Sequence, residues 1–251
     1  DEKTMNQLKR QESKNIVIVG GGSSLGYELI QDLKSSSNKF IIVTSREELP
    51  FDQKNITIIT STLKNSKEVS RVCALIKEIF LDINVIFFNI GGGLGLSQAF
   101  LSFQTLQKLM WYNLGVIQEF NRRLKNYYSD DTRILCVGSV ATKQITASLG
   151  YTIAKVSLET YVRSMSKELA PKNIHIIAIS LGAFYLENNA MYRLKANKPE
   201  VFERYVSERL PRKKMGSREE ILPFLKFLFI EDVGMFSGSV ISMDGGEKIA
   251  L

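Results

Sequence analysis

Short apolar runs, rich in β-branched residues, recur along the chain between longer stretches whose apolar positions return every three or four residues. The runs Asn15–Gly20, Phe40–Ser45, Ile56–Thr60, Val85–Ile90, Arg133–Gly138, Ile174–Ser180 and Val240–Met243 are the predicted strands. Most are continuously apolar, the pattern of a strand covered on both faces. The stretches 24–35, 65–81, 102–127, 151–170, 187–207 and 217–230 are the predicted helices. Strand and helix in alternation predict an α/β fold, doubly wound with three layers and a parallel sheet between helices. No composition break or internal repeat divides the chain, so 15–251 reads as one domain. Residues 1–14 are polar and read as a flexible arm or the remnant of a tag. The charged segment 183–216, interrupted by Pro199, Pro211 and Gly216, follows the sixth strand at the edge where ligands of open sheets bind. It is expected to be a mobile substrate flap.

At 251 residues the chain can bury one large core. No run approaches the roughly 18 apolar residues of a membrane span, and the polar start has no signal-peptide core, so a cytoplasmic protein without a membrane partner is expected. Cys73 and Cys136 fall in a predicted helix and strand without metal-ligand spacing, and read as reduced core thiols. The single His175 lies in the apolar run Ile174–Ile179 and reads as structural; no metal site is expected. Acid–base chemistry is therefore left to Tyr, Lys, Asp or Glu.

The net charge is +7, and much of it is local. Residues 192–214 carry eight cations (Arg193, Lys195, Lys198, Arg204, Arg209, Arg212, Lys213, Lys214) against Glu200, Glu203 and Glu208, leaving +5. No nucleic-acid motif accompanies them, so no nucleic-acid partner is expected. The segment is either a solvated helix face or a basic flap over an anionic ligand.

Ile16–Val19 lead into Gly20-Gly21-Gly22-Ser23-Ser24-Leu25-Gly26 and then an amphipathic helix. Strand, glycine turn and helix start form a pyrophosphate cradle, because backbone can approach the phosphates and the helix N-terminus favours their charge. Ser45 and Arg46 end the second strand, twenty residues past Gly26. An Arg there suits a 2′-phosphate, so NADP(H) is favoured; Glu47 and Glu48 keep NAD(H) possible.

Tyr151 and Lys155 are spaced to share one helix face, twelve residues beyond Ser139. The phenol can exchange a proton, the ammonium is expected to draw its pKa from ~10 toward neutrality, and the serine can hold a carbonyl oxygen. With the Gly20–Gly26 turn, Asn89-Ile90-Gly91-Gly92, Asn113, Ser180-Leu181-Gly182 and the closing 236–246, the chain resembles the short-chain dehydrogenase/reductase family over about 14–249. Within it the likeness is to 3-oxoacyl-carrier-protein reductases.

That resemblance implies seven parallel strands in the order 3-2-1-4-5-6-7 and an oxidoreductase interconverting a ketone and a secondary alcohol. It implies catalytic roles for Asn113, Ser139, Tyr151 and Lys155, with Lys155 also on the nicotinamide ribose and Asn113 in a water relay. Cofactor contacts are implied at Gly20, Gly22, Ser23, Ser24, Leu25, Gly26, Ser45, Arg46, Thr62, Asn89, Gly91, Tyr151, Lys155 and Gly182. A homo-dimer or homo-tetramer is implied, built on helices 102–127 and 151–170 or on 217–230 and the last strand. The basic flap points to an anionic substrate, a sugar nucleotide or a carrier-bound 3-oxoacyl chain. The chain departs from the family pattern at Ser24 (usually Gly), Thr62 (usually Asp), Ile90-Gly91 (usually Asn-Ala) and Leu181 (usually Pro). That drift motivates an alternative, a non-catalytic nucleotide-binding or assembly protein.

Overall fold

The computed structural model describes residues 13–22, 24–34, 36–51, 54–144 and 147–248. The strands are β1 (Asn15–Val19), β2 (Lys39–Thr44), β3 (Ile56–Thr60), β4 (Ile83–Phe88), β5 (Tyr128–Ser139), β6 (His175–Leu181) and β7 (Val240–Met243). They form one sheet in the order β3-β2-β1-β4-β5-β6-β7, and every neighbouring pair is parallel. This is the expected doubly wound sheet. Parallel pairing demands a crossover between strands, and each crossover lays a helix on a face.

The helices are α1 (Ser24–Leu33), α2 (Ser66–Ile79), α3 (Phe103–Met110), α4 (Val116–Leu124), α5 (Ala141–Gln144), α6 (Leu149–Leu169), α7 (Ala190–Asn197), α8 (Pro199–Arg204) and α9 (Arg218–Ile230). Alternate residues of the central strands feed two separate cores. Val17, Val19, Ile41, Ile86 and Cys136 pack with α2, α4 and α6. Ile16, Ile18, Ile42, Phe87 and Leu135 pack with α1 and α9 on the other face. Both cysteines are buried and unpaired, as expected. His175 opens β6, with Nε2 3.4 Å from Asp131 Oδ1.

Several boundaries differ from the sequence expectation. The predicted helix 102–127 is split by a π-helical turn, Trp111–Gly115, between α3 and α4. The predicted helix 187–207 breaks at Lys198, because Pro199 restricts the residue before it, and ends in a second π turn, Tyr205–Arg209. α6 begins at Leu149, behind the extended N-cap residue Ser148. β5 starts five residues early, at Tyr128. There Thr132 and Ser129 hydroxyls donate to the Ile83 carbonyl at 2.6 and 2.9 Å, so polar residues do the pairing and no apolar run announces it.

Candidate active site

Two regions meet at the carboxyl edge of the sheet. In the first, β1 runs out into Gly20, whose φ is +89°. A Cβ there would lie 2.3 Å from the Asn89 carbonyl oxygen, and one at Gly22 would lie 2.1 Å from Thr44 Oγ1. Only glycine backbone fits. Asn89, one residue past β4, closes the turn by donating Nδ2 to the Gly20 carbonyl at 3.0 Å, and Gly26 packs on that same carbonyl. The resulting crevice suits a dinucleotide: tight backbone on one wall, a helix N-terminus on the other.

Its remaining predicted contacts are unequal. Ser24 holds φ +51°, the left-handed conformation that glycine takes at little cost. Leu25 is buried in the core beside Leu29 and Phe40, leaving its backbone alone for a ligand. Ser45 and Arg46 are exposed, and the Arg46 Cδ lies 3.4 Å from where a Gly22 Cβ would be, so its stem covers the glycine turn. Ser23 lies outside the described residues. Thr62 is exposed and donates to Glu68 Oε2 at 2.9 Å, which also accepts from Ser61 Oγ at 3.1 Å. Burial pushes the Glu68 carboxyl up, but the hydrogen bonds from Thr62, the Lys64 amide and Ser61 hold it below its ordinary 4.5. An acidic group thus stands where the sequence reads only a threonine.

In the second region Ser139, Tyr151 and Lys155 come together. Ser139 is the last residue of β5, opposite Leu181 of β6. Its Oγ accepts the Ala141 amide at 3.2 Å and shares a hydrogen bond with the Tyr151 phenol. Lys155 sits one turn along α6, with Nζ 5.9 Å from the Tyr151 ring centroid. The two side chains share a helix face, as their spacing predicts.

The electrostatics correct one expectation. Burial pushes the Tyr151 phenol above its ordinary 10.0, and only the Ser139 hydrogen bond opposes that. The Lys155 ammonium donates to the Val137 carbonyl at 2.7 Å. Burial instead lowers the Lys155 ammonium itself to about 8, while Cys136 and Glu159 push the other way.

Asn113 lies on the π turn and is fully buried. Its Oδ1 accepts the Gly92 amide at 3.0 Å, and its Nδ2 donates to the Gly92 and Leu109 carbonyls at 3.1 and 2.9 Å. The side chain therefore clamps the loop after β4. Gly91, at φ +104°, leaves no room for a Cβ, which would lie 2.3 Å from Asn113 Oδ1 and 3.3 Å from Lys155 Nζ. A Cβ on Gly92 would meet nothing within 4 Å, so the crevice is open there. Leu181 is a core residue that ends β6 opposite Met243, and Gly182 packs under Asp244 and Glu247. Three residues that sequence reasoning passed over shape this edge: Thr44 under Gly22, Thr142 behind Ser139, and Glu159. Only Glu159 carries a signal, standing four residues past Lys155 on the same face.

A family model described as Enoyl-(Acyl carrier protein) reductase matches residues 23–248. The chain is 26% identical over 247 residues to the 3-oxoacyl-[acyl-carrier-protein] reductase FabG of Buchnera aphidicola subsp. Baizongia pistaciae, covering 93% of this chain and 96% of that protein. It is 24% identical over 243 residues to the 3-oxoacyl-[acyl-carrier-protein] reductase MabA of Mycobacterium bovis, covering 93% and 92%. Among solved structures, the Pseudomonas aeruginosa RhlG/NADP active-site complex superposes with a TM-score of 0.83 at 21% identity, covering 95% of this chain and 98% of that one.

Proposed function

The chain belongs to the short-chain dehydrogenase/reductase family of oxidoreductases, and from that premise we propose an NADP(H)-dependent enzyme that interconverts a ketone and a secondary alcohol. The observation that carries the reading is the convergence of Ser139, Tyr151 and Lys155 at the end of β5, beside a crevice only glycine can line.

When bound, the nicotinamide supplies or receives the hydride. The Ser139 hydroxyl holds the carbonyl oxygen of the substrate. Tyr151 donates its proton to that oxygen in reduction and recovers it in oxidation. Lys155, moored to the Val137 carbonyl, sets a positive charge against the phenolate that proton loss leaves behind. By resemblance it also meets the nicotinamide ribose. Asn113 fixes the Gly91–Gly92 wall of the crevice, and Arg46, lying over Gly22, meets a 2′-phosphate. The exposed flap cations Lys198, Arg204 and Arg209 favour an anionic substrate, a sugar nucleotide or a carrier-bound 3-oxoacyl chain. Two buried, unpaired thiols suit a reducing, cytoplasmic compartment. A homo-oligomer, dimer or tetramer, completes the proposal.

Fluorescence titration with NADPH and NADH tests the reading. NADPH should bind at least about tenfold more tightly, and Arg46→Ala should erase that difference, since a charge-assisted contact contributes roughly 1.5–3 kcal/mol. Tyr151→Phe should keep NADPH affinity and lose turnover by about 100-fold or more. Undiminished turnover in that variant would refute the proton role.

Strain at Ser24 and the raised Tyr151 phenol favour one rival, a non-catalytic nucleotide-binding or assembly protein. It predicts NADPH binding without turnover of any carbonyl compound.

A further inference from the structure

We propose that Thr142 and Glu159 are positioning residues that lock the turn carrying Ser139 onto the helix carrying Tyr151 and Lys155. The inference rests on the function proposed above.

Glu159 is a buried carboxylate on α6, 3% exposed, one turn beyond Lys155 and two beyond Tyr151. Burying a charge is costly unless it is paired, so an apolar residue would serve packing better at this place. Its close partner is not a cation. Thr142 Oγ1 lies 2.7 Å from Glu159 Oε1, while the half-exposed Arg163 stands off at 3.7 Å from Oε2. The same Thr142 hydroxyl lies 3.0 Å from the Ser139 carbonyl oxygen, so its single proton is shared between carbonyl and carboxylate, with the shorter contact to Glu159 the stronger. Between these residues, the Ala141 amide donates to Ser139 Oγ at 3.2 Å. The chain of contacts therefore runs from Glu159 through Thr142 to the backbone that aims the Ser139 hydroxyl.

A hydroxyl bound to a carboxylate is among the stronger neutral-to-charged hydrogen bonds, and its short length fits that class. α5, at four residues, is too short to hold its own position by helical bonds. This tether holds it together with the Val140 amide, which donates to the Leu181 carbonyl at 3.1 Å. Glu159 also sustains the Lys155 ammonium; Tyr151 on the same helix and the Cys136 thiol of β5, pushed up to about 12 by burial, are the other titratable neighbours.

The test uses the full chain with two readouts. The first needs no cofactor: hydrogen exchange of the Ala141 amide should quicken about tenfold or more in Thr142→Val and return in Thr142→Ser. In Glu159→Gln the Lys155 titration midpoint, followed by carbon-13 NMR of labelled lysine, should move below that of the unaltered protein. The second is turnover with NADPH and ethyl acetoacetate as probes. There kcat should fall about tenfold or more in Thr142→Val and recover in Thr142→Ser, with KM for NADPH unchanged. Exchange at Ala141 that is equal in Thr142→Val and the unaltered chain overturns the inference, whatever the turnover. If Tyr151→Phe abolishes turnover while Thr142→Val leaves kcat intact, the inference fails and the function stands. If Tyr151→Phe turns over normally, the proposed function fails, and the exchange result alone decides the tether. Should Glu159→Gln not fold, Thr142→Val and Thr142→Ser decide the tether between them by the same exchange and turnover outcomes.

Discussion

Single residues at this site hold conformations or charges that folding alone would not select. Ser24 sits at φ +51° where glycine would rest without strain. A left-handed residue with a Cβ costs roughly 1–2 kcal/mol, while glycine returns part of that as freedom of the unfolded chain. Ser24→Gly should therefore raise stability slightly, by about 0.5–1 kcal/mol, and tighten NADPH binding; a drop in both melting temperature and affinity would show the strain to be useful. Lys155 is the opposite case, a buried ammonium lowered to about 8 from 10.5. Between those pH values the unfolded chain binds more protons than the folded one, so stability should rise as pH climbs from about 8 to 10.5. Lys155→Met should abolish that rise and add on the order of 2 kcal/mol near pH 7, with loss of turnover. Denaturant unfolding at pH 7 and pH 10 checks both; a less stable variant at pH 7 would contradict the account. The positions of Ser139, Tyr151 and Lys155 were legible because the ladder and the helix repeat carry them to one edge. Thr142 and Glu68 were not, since each acts through a partner that the linear pattern leaves unspecified.

At the scale of elements, the helix over 103–124 shows what periodicity conceals. Its apolar positions read as one continuous helix, yet the π turn at Trp111–Gly115 adds a residue to one turn. That extra residue rotates Asn113 inward, where its amide meets Gly92. Trp111 helps by donating Nε1 to the Leu63 carbonyl at 2.8 Å, tying the π turn to the segment after β3. The segment 183–216 behaves likewise. α7 and α8 divide at Pro199, and a second π turn presents Tyr205, whose hydroxyl donates to Glu247 Oε1 at 2.5 Å. Glu247 Oε2 also accepts the Ala183 amide at 2.6 Å, so Glu247 ties Tyr205 to the residue that follows Gly182. α1 and α9 are joined by Arg218, which meets Glu28 and Asp32, and by Lys226, which meets Asp32 at 2.9 Å. These contacts span up to 194 residues in sequence, beyond any local signal.

Among the described residues, exposed apolar side chains gather in two places. One runs along α3 and the π turn, with Leu106, Met110, Trp111 and Leu114 lining a groove, and Ile153 and Val156 exposed on α6. The other gathers Phe227, Ile230, Met235 and Phe236 near β7. Apolar patches of this kind mark interaction sites on soluble proteins. Sedimentation should show a dimer or tetramer, and Ile153→Glu with Val156→Glu should reduce its order by one step; a monomer at micromolar concentration would refute the assembly. Among the described residues no helix is long and apolar enough to cross a membrane, and no cluster of potential metal ligands is found. The amino-acid order by itself determined the class of fold, the strand succession and the pairing of Tyr151 with Lys155 on one helix face, because apolar period and i, i+4 spacing are local quantities. The tertiary structure alone decided which groups surround that pair, and with them the sign of its pKa shifts. Burial raised the phenol and lowered the ammonium, since desolvation depends on what packs around a charge and not on its neighbours in the chain.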